Sequence, residues 1–163
     1  MRLLLVTAFI LAMLASALGL STKKMQVIDS NYNVALGFTG LGVASCFTGN
    51  LLVGLPSAAL GALLFKQTGR VRFVFDSEAM EVKVNKGNEE LTNSGENFAV
   101  GGRNRWSYKT FTRWGMVPSK EFPVFMYFYE TQTDKDKEQF HLFPVIMDGK
   151  MLYNAMVEKV GIK

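Results

Sequence analysis

The hydrophobic pattern of the chain is dominated by one long apolar run, from Val34 to Phe65, which contains no charged residue. A single helix of that length would measure about 48 Å, well beyond the roughly 30 Å of a bilayer's hydrocarbon core. The turn dipeptide Gly49-Asn50 divides the run into two arms of roughly 22 Å each. The pattern therefore predicts a transmembrane helical hairpin at residues 34–65. Because its arms are short, the hairpin must extend past the turn, thin the bilayer or stop short of the far side.

Small residues support this interpretation over its alternative, a pair of core helices in a soluble domain. Core helices of soluble proteins keep a polar face, and neither arm has one. Small residues recur instead at every fourth position, a spacing that lets helices approach closely in lipid. The predicted helix-packing residues are Gly40 and Ala44 in the first arm and Gly54, Ala58 and Ala62 in the second.

The N-terminal region has the pattern of a targeting sequence. Arg2 precedes an apolar stretch, and Ala15-Ser16-Ala17 has the form of a cleavage site, which predicts a secretory signal peptide at residues 1–17. The alternative is an uncleaved signal anchor that forms a third membrane helix. Residues 18–33 carry hydroxyl groups and lysines with one acid, as expected for a transit-like segment or a linker. Cations at both ends of the hairpin place the following domain on the cytoplasmic or stromal side.

Residues 66–163 alternate between apolar and polar positions in several segments, which predicts a soluble, β-rich domain. The polar segments Asn85–Glu96 and Thr131–Glu138 are predicted as loops, and helical spacing predicts a C-terminal helix at Lys150–Val160. The predicted strands are Val71–Phe75, Met80–Val84, Phe98–Val100, Arg103–Thr112, Val124–Glu130 and Gln139–Ile146.

These elements predict an α+β protein, in which a two-helix transmembrane hairpin is followed by a small antiparallel β-domain and a C-terminal helix. The order of strands and helix suggests a barrel like that of pleckstrin-homology domains, and the alternative is an open sheet with the helix on one face. Both are analogies from element order, and a fold does not determine a function.

Cations and aromatic residues alternate between Asn97 and Lys120, a segment without acids. Such a pattern is typical of a surface that rests on lipid headgroups or binds an acidic partner protein. The alternative is that the aromatic rings point into the core while the cations solvate the outer face. The candidate surface consists of Arg103, Arg105, Trp106, Lys109, Arg113, Trp114 and Lys120.

Composition argues against catalytic and metal sites. The chain has one histidine and one cysteine, too few for a transition-metal site of its own, and His141 has no partners in a recognisable catalytic constellation. The sequence contains no phosphate-binding glycine loop. Its net charge of +4 suits an anionic membrane surface but is too small to indicate nucleic acid. We therefore expect no enzyme activity, no cofactor and no nucleic-acid partner.

Several motifs appear in a familiar order: the apolar hairpin, the tryptophans Trp106 and Trp114, FPVFMYFYE at Phe122–Glu130 and HLFPVIMD at His141–Asp148. In this order the chain resembles a family of small membrane proteins of cyanobacteria and plastids whose domain has no known function. The likeness covers about residues 31–160. The chain departs from it in its longer loops and in Gly149, where proline is expected. The family offers no catalytic residues to carry over.

The resemblance implies a plastid location in the thylakoid membrane, reached through the endoplasmic reticulum, with the β-domain in the stroma; otherwise we expect another endomembrane. The expected function is that of a non-enzymatic protein that assists assembly of, or associates with, a photosynthetic membrane complex. The alternative is a membrane-anchored module that binds anionic lipid through Arg103, Arg105 and Arg113. The expected partners are the lipid bilayer and a membrane protein complex.

Overall fold

The computed structural model describes residues 25–87, 90–95, 103–134 and 136–162. The predicted signal peptide at 1–17 and the predicted strand Phe98–Val100 lie outside the described residues. The helices are α1 (Asn33–Phe47), α2 (Leu51–Arg70) and α3 (Gly149–Lys159), with a short 3-10 helix at Tyr108–Thr110. The strands are β1 (Gln26–Val27), β2 (Val71–Phe75), β3 (Ala79–Asn85), β4 (Leu91–Asn93), β5 (Arg105–Ser107), β6 (Phe111–Pro118), β7 (Pro123–Glu130) and β8 (Gln139–Pro144).

The strands form two antiparallel sheets, which confirms the α+β class and corrects the alternative of one open sheet. The first sheet has the order β1-β2-β3-β4, and β5 also pairs with β3. The second sheet has the order β6-β7-β8. Strand β4 falls inside Asn85–Glu96, which was predicted as a polar loop, because Leu91 pairs with Asn85 of β3.

Buried aromatic and aliphatic side chains from both sheets form the core, and α3 packs against it. Leu152 and Met156 of α3 are fully buried at the predicted helical spacing. The side chain of Asp148 caps this helix by accepting a hydrogen bond from the backbone N–H of Met151. The largest fully buried apolar side chains of the β-domain are Phe73, Phe75, Met80, Trp106, Phe111, Met126, Phe128 and Met147.

The helical hairpin is an insertion between two paired strands. Strand β1 precedes α1, and Val27 in it pairs with Val74 of β2, which follows α2. Part of the segment predicted as a linker is therefore a strand of the first sheet. Where α2 meets β2, Nη1 of Arg72 donates a hydrogen bond to the carbonyl oxygen of Thr68 at 2.8 Å, near the end of α2. The pairing thus fixes the hairpin to the β-domain at both of its ends.

Helices α1 and α2 pack closely through glycines that face the other helix's backbone. A Cβ atom at Gly42 would lie 2.7 Å from Cα of Ala58, and one at Gly61 would lie 2.6 Å from the backbone N of Thr39. A Cβ atom at Gly54 would lie 2.8 Å from the backbone N of Cys46. Distances below about 3 Å leave no room for a side chain, so these glycines let the helices approach.

The residues that form the contact between α1 and α2 differ in part from the predicted helix-packing residues. Gly54 and Ala58 lie in the interface as predicted. Gly40, Ala44 and Ala62 do not, because all three are exposed. The contacting positions of α1 are separated alternately by three and four residues, which is the seam spacing of two helices that follow each other over several turns. Residues spaced strictly by four, as in the prediction, turn gradually away from this contact along the helix.

We predict that Gly42→Ala destabilises the hairpin whereas Gly40→Ala does not. The new methyl group at position 42 overlaps the backbone of Ala58, and overpacking of this kind costs about 1–3 kcal/mol. Apart from the adjacent backbone of α1 itself, no heavy atom of the described residues lies within 4 Å of a Cβ at Gly40, where alanine gains up to about 1 kcal/mol of helix propensity. Thermal unfolding of the full chain in detergent, followed by circular dichroism, measures both. Equal melting temperatures for the two variants would contradict the placement of Gly42 inside the helix contact and of Gly40 outside it.

Candidate functional site

The two tryptophans of the candidate surface are part of the core. Trp106 is 1% exposed, and its ring centroid lies 5.1 Å from that of Phe128. Trp114 is 8% exposed, and its indole Nε1 donates to the carbonyl oxygen of Gly161 at 2.7 Å. Neither ring is available to headgroups or to a partner. This part of the prediction is wrong, and the alternative, with the rings pointing inward, describes the structure.

Two of the arginines in the candidate surface are already neutralised within the domain. Nη1 of Arg105 lies 2.7 Å from Oδ2 of Asp76 and 3.2 Å from Oε2 of Glu81. Nη2 of Arg113 lies 2.9 Å from Oε2 of Glu138, and its guanidinium carbon is 3.9 Å from the ring centroid of Tyr129. Because their charges are paired, these arginines contribute little to the binding of an outside anion.

The remaining cations of the candidate surface do not form one patch. Arg103 and Lys109 are exposed at the β5 end of the domain, where Arg103 lines a cleft of about 220 Å³ with Glu78 and Gln132. Lys120 lies in the turn after β6. An eight-residue strand such as β6 is about 25 Å long, so Lys120 is far from the other two. The predicted surface is therefore divided between two ends of the β-domain.

Among the residues that the structure describes, most of the large exposed apolar side chains belong to the hairpin. Within the described part of the chain, Leu51–Arg70 is one helix long and apolar enough to cross a membrane, and α1 is apolar but shorter. Leu52 is 91% exposed and Phe47 88% exposed, next to the turn. We call this the hairpin surface. Its large apolar residues are Leu36, Leu41, Val43, Phe47, Leu51, Leu52, Val53, Leu55, Leu60, Leu63 and Phe65.

Hydrogen bonds within the turn satisfy its own polar groups. The backbone N–H of Thr48 donates to Ala44, that of Gly49 to Cys46 and that of Asn50 to Ser45, with N···O distances of 2.9–3.1 Å. The side chain of Asn50 caps α2 by accepting from the N–H of Val53 at 3.3 Å. A turn that uses its donors internally is suited to surroundings without water.

A second exposed surface, on the outer face of the β6-β7-β8 sheet, was not found from the sequence. Strand β7 buries Met126 and Phe128, while Tyr127 and Tyr129 point to the other side. Tyr127 lies opposite Gly115 and Leu142 in the register, and its ring covers Gly115 at a distance that a Cβ would not allow. We call this the aromatic sheet face; it consists of Arg113, Val117, Phe125, Tyr127, Tyr129, Phe140 and Leu142. The sequence did indicate this face: a strand with the sequence FMYFY has apolar or aromatic side chains on both of its sides.

One buried polar pair lies in the core between β7 and β8. Nε2 of His141 is 3.0 Å from Oε1 of Glu130, which is fully buried. Burial raises the pKa of Glu130, but hydrogen bonds from Thr133, His141 and the N–H of Gln132 outweigh it, so the pKa lies below its ordinary value. These bonds hold the loop after β7 in place. The described residues contain no group of three or more His, Cys, Asp or Glu side chains that could hold a metal ion.

The turn between β2 and β3 depends on Asp76. Its carboxylate accepts hydrogen bonds from the N–H groups of Glu78 and Ala79 at 2.7 and 3.0 Å and pairs with Arg105. Partial burial raises the pKa of Asp76, but these bonds and the charge of Arg105 outweigh it and lower the pKa from 3.8 to about 2. The ionised carboxylate therefore stabilises the turn.

We predict that the β-domain loses the stabilisation provided by ionised Asp76 as the pH falls from about 4 to about 2. The folded-state pKa is lowered, so the stabilisation is complete above the ordinary value and is lost as the pH approaches 2. Asp76→Asn should lower the free energy of unfolding by about 1–2 kcal/mol at neutral pH and by almost nothing near pH 2.

Denaturant titrations of the detergent-solubilised chain, followed by the fluorescence of the buried Trp106 and Trp114, measure this difference at each pH. Asp134→Asn, at an exposed position, is the control and should change the free energy of unfolding by less than about 0.5 kcal/mol. A difference between Asp76→Asn and the unaltered chain that does not change with pH would contradict the assignment.

Comparison with known proteins identifies a family but no relative with an established activity. Searches of curated proteins and of solved structures found no match. Residues 26–161 match the family DUF3119, which is described as a protein of unknown function. The match runs from β1 to the end of α3 and so includes both the hairpin and the β-domain. The chain therefore belongs to the DUF3119 family of proteins of unknown function.

Proposed function

We propose that the chain is a non-enzymatic protein of the plastid thylakoid membrane. In this proposal the hairpin lies in the bilayer, and the β-domain uses its aromatic sheet face to associate with a photosynthetic membrane complex or to assist its assembly. The resemblance noted from the sequence motivates the plastid location and the photosynthetic partner. A pleckstrin-homology-like barrel stays a prediction for the way in which the two sheets close.

The observation that carries the proposal is the hairpin surface. Soluble monomers rarely expose a contiguous apolar patch larger than a few hundred square ångströms. Here two adjacent helices expose eleven large apolar side chains and carry no charge from Asn33 to Phe65. A lipid bilayer surrounds a helix pair on all sides and so covers all of these side chains, whereas a single protein partner would cover only one side.

The position of the cations supports one orientation. Lys66, Arg70 and Arg72 lie where α2 returns to the β-domain, and cations flank membrane segments on the cytoplasmic or stromal side. The apolar part of α2, Leu51–Phe65, is about 22 Å long at 1.5 Å per residue, shorter than a hydrocarbon core of about 30 Å. The hairpin therefore enters from the side of the β-domain and either thins the bilayer or ends within it.

The aromatic sheet face supports a protein partner. Tyrosine, phenylalanine and arginine are enriched at protein interfaces, where rigid rings supply contact area at a low entropy cost. On this face Phe140 and Leu142 are 44% and 51% exposed beside Tyr127 and Tyr129. The candidate surface, by contrast, gives no support to lipid binding through Arg105 and Arg113, because acids of the same domain pair with both.

We predict that Leu142→Asp releases the protein from its complex without releasing it from the membrane. Gently solubilised membranes, separated on a native gel, should show the unaltered chain migrating with a large complex. A charge that is buried in the contact at Leu142, on the edge strand of the aromatic sheet face, should reduce that fraction at least about tenfold. Ile162→Asp is the matched control, because Ile162 is equally apolar and 82% exposed but lies off the face.

Two results would contradict the proposal separately. If the unaltered chain migrates only as a free monomer, the partner is wrong. If carbonate at high pH releases the chain from native membranes, the insertion of the hairpin is wrong.

A further inference from the structure

A cleft of about 640 Å³ lies where the hairpin meets the β-domain. One wall is the first half of α1, with Val34, Phe38 and Leu41. The opposite wall comes from the β6–β7 turn, from the start of β7 with Val124, and from the segment before α3 with Val145. Sites for small molecules commonly have about 300–1,000 Å³ and mainly apolar walls, so this cleft has the size and character of a binding site.

The cleft is continuous with the hairpin surface. Leu36 and Leu41 line it and are also exposed, 56% and 51%, on the helix that we place in the bilayer. Phe122, which is 73% exposed, adds an apolar side chain from the β6–β7 turn. An acyl chain in the bilayer can therefore enter the cleft along α1 without crossing water.

Two lysines stand at the polar end of the cleft. Lys150 is exposed and forms no ion pair with any residue that the structure describes. Nζ of Lys120 lies 5.6 Å from the ring centroid of Tyr153 and 3.9 Å from Oε1 of Glu121, which also lines the cleft. Unlike the 2.9 Å hydrogen bond of Arg113, this ion pair is longer than a hydrogen bond, and both side chains are more than half exposed, so it contributes little. The carboxylate of Asp148 already accepts the hydrogen bond that caps α3. The lysines are therefore available to an anion.

We propose that the cleft binds one membrane lipid that has an anionic headgroup. Its acyl chain lies along Leu36, Phe38 and Leu41, and its headgroup accepts hydrogen bonds from Lys120 and Lys150. This inference rests on the proposed insertion of the hairpin, because only then does the cleft open at headgroup depth. The mainly apolar walls favour an acyl chain over a water-soluble nucleotide or sugar phosphate as the occupant.

Native mass spectrometry of the full chain, released from nanodiscs, tests the headgroup. The discs contain equal amounts of phosphatidylglycerol and phosphatidylcholine with the same acyl chains. We expect one retained phosphatidylglycerol, preferred by about tenfold for two charge-assisted hydrogen bonds at a partly exposed site. The double variant Lys120→Gln/Lys150→Gln should lose the preference, and Lys109→Gln, which alters an exposed lysine outside the cleft, should keep it.

A matched pair of glycines tests the acyl-chain site. Gly37 lines the cleft, whereas Gly40 lies one turn further along α1 and does not. Among the described residues, and apart from the adjacent backbone of α1, no heavy atom lies within 4 Å of a Cβ at either position, so both accept a side chain. Gly37→Phe should fill the cleft and reduce the retained lipid at least about tenfold, while Gly40→Phe should leave it unchanged.

Several outcomes would overturn the inference. These are no retained lipid, equal retention of the two lipids, equal loss in both glycine variants, or displacement of the lipid by oleate at equal concentration, which would make a free fatty acid the occupant. Carbonate extraction of the same proteins separates the two proposals. A chain that stays in the membrane but retains no lipid contradicts only the cleft, and a chain that is released contradicts the proposed function.

Discussion

The apolar surface of the hairpin is the constraint on which the other features depend. Exposure of a leucine or phenylalanine side chain to water costs about 1.5–3 kcal/mol relative to burial, and the hairpin exposes eleven large apolar side chains. Close contact between α1 and α2 does not reduce this cost, because the contact uses small residues such as Gly42 and Gly61 and leaves the large ones outside. The small inner row and the large outer row are what a helix pair surrounded by lipid requires, since packing rather than area burial holds such helices together.

The pairing of β1 with β2 connects this surface to the rest of the molecule. The chain leaves the first sheet after Val27 and returns to it at Val71, so the hairpin cannot turn independently of the β-domain. If the hairpin lies in a bilayer as proposed, its position determines which parts of the domain face lipid and which face the aqueous side. The cleft with Lys120 and Lys150 lies at the junction, and the aromatic sheet face lies on the outer side of the second sheet. The proposed anchor, lipid site and partner surface are thus connected through the first sheet.

The local sequence pattern predicted the helices and strands well, but it did not predict which of their sides are buried and which are exposed. The hairpin, the strand at Val124–Glu130 and the C-terminal helix follow from runs and periods within a few residues, and the structure has them within a few residues of the predicted ends. Trp106 was misplaced because a segment that alternates cations with rings fits an exposed surface and a core strand equally well. Strand β1 was missed because its partner lies more than forty residues away in the sequence. The aromatic sheet face required the register of three strands, which no single segment contains.

The depth of the hairpin turn in a bilayer tests the central claim most directly. A spin label at Leu52, introduced as Leu52→Cys together with Cys46→Ser, would stand on the most exposed apolar side chain beside the turn. In reconstituted vesicles we expect this label to collide frequently with oxygen, which dissolves in hydrocarbon, and rarely with a water-soluble nickel complex. The same label at Lys109, on the β-domain, should show the reverse. Free access of the nickel complex to position 52 would contradict the insertion of the hairpin in lipid.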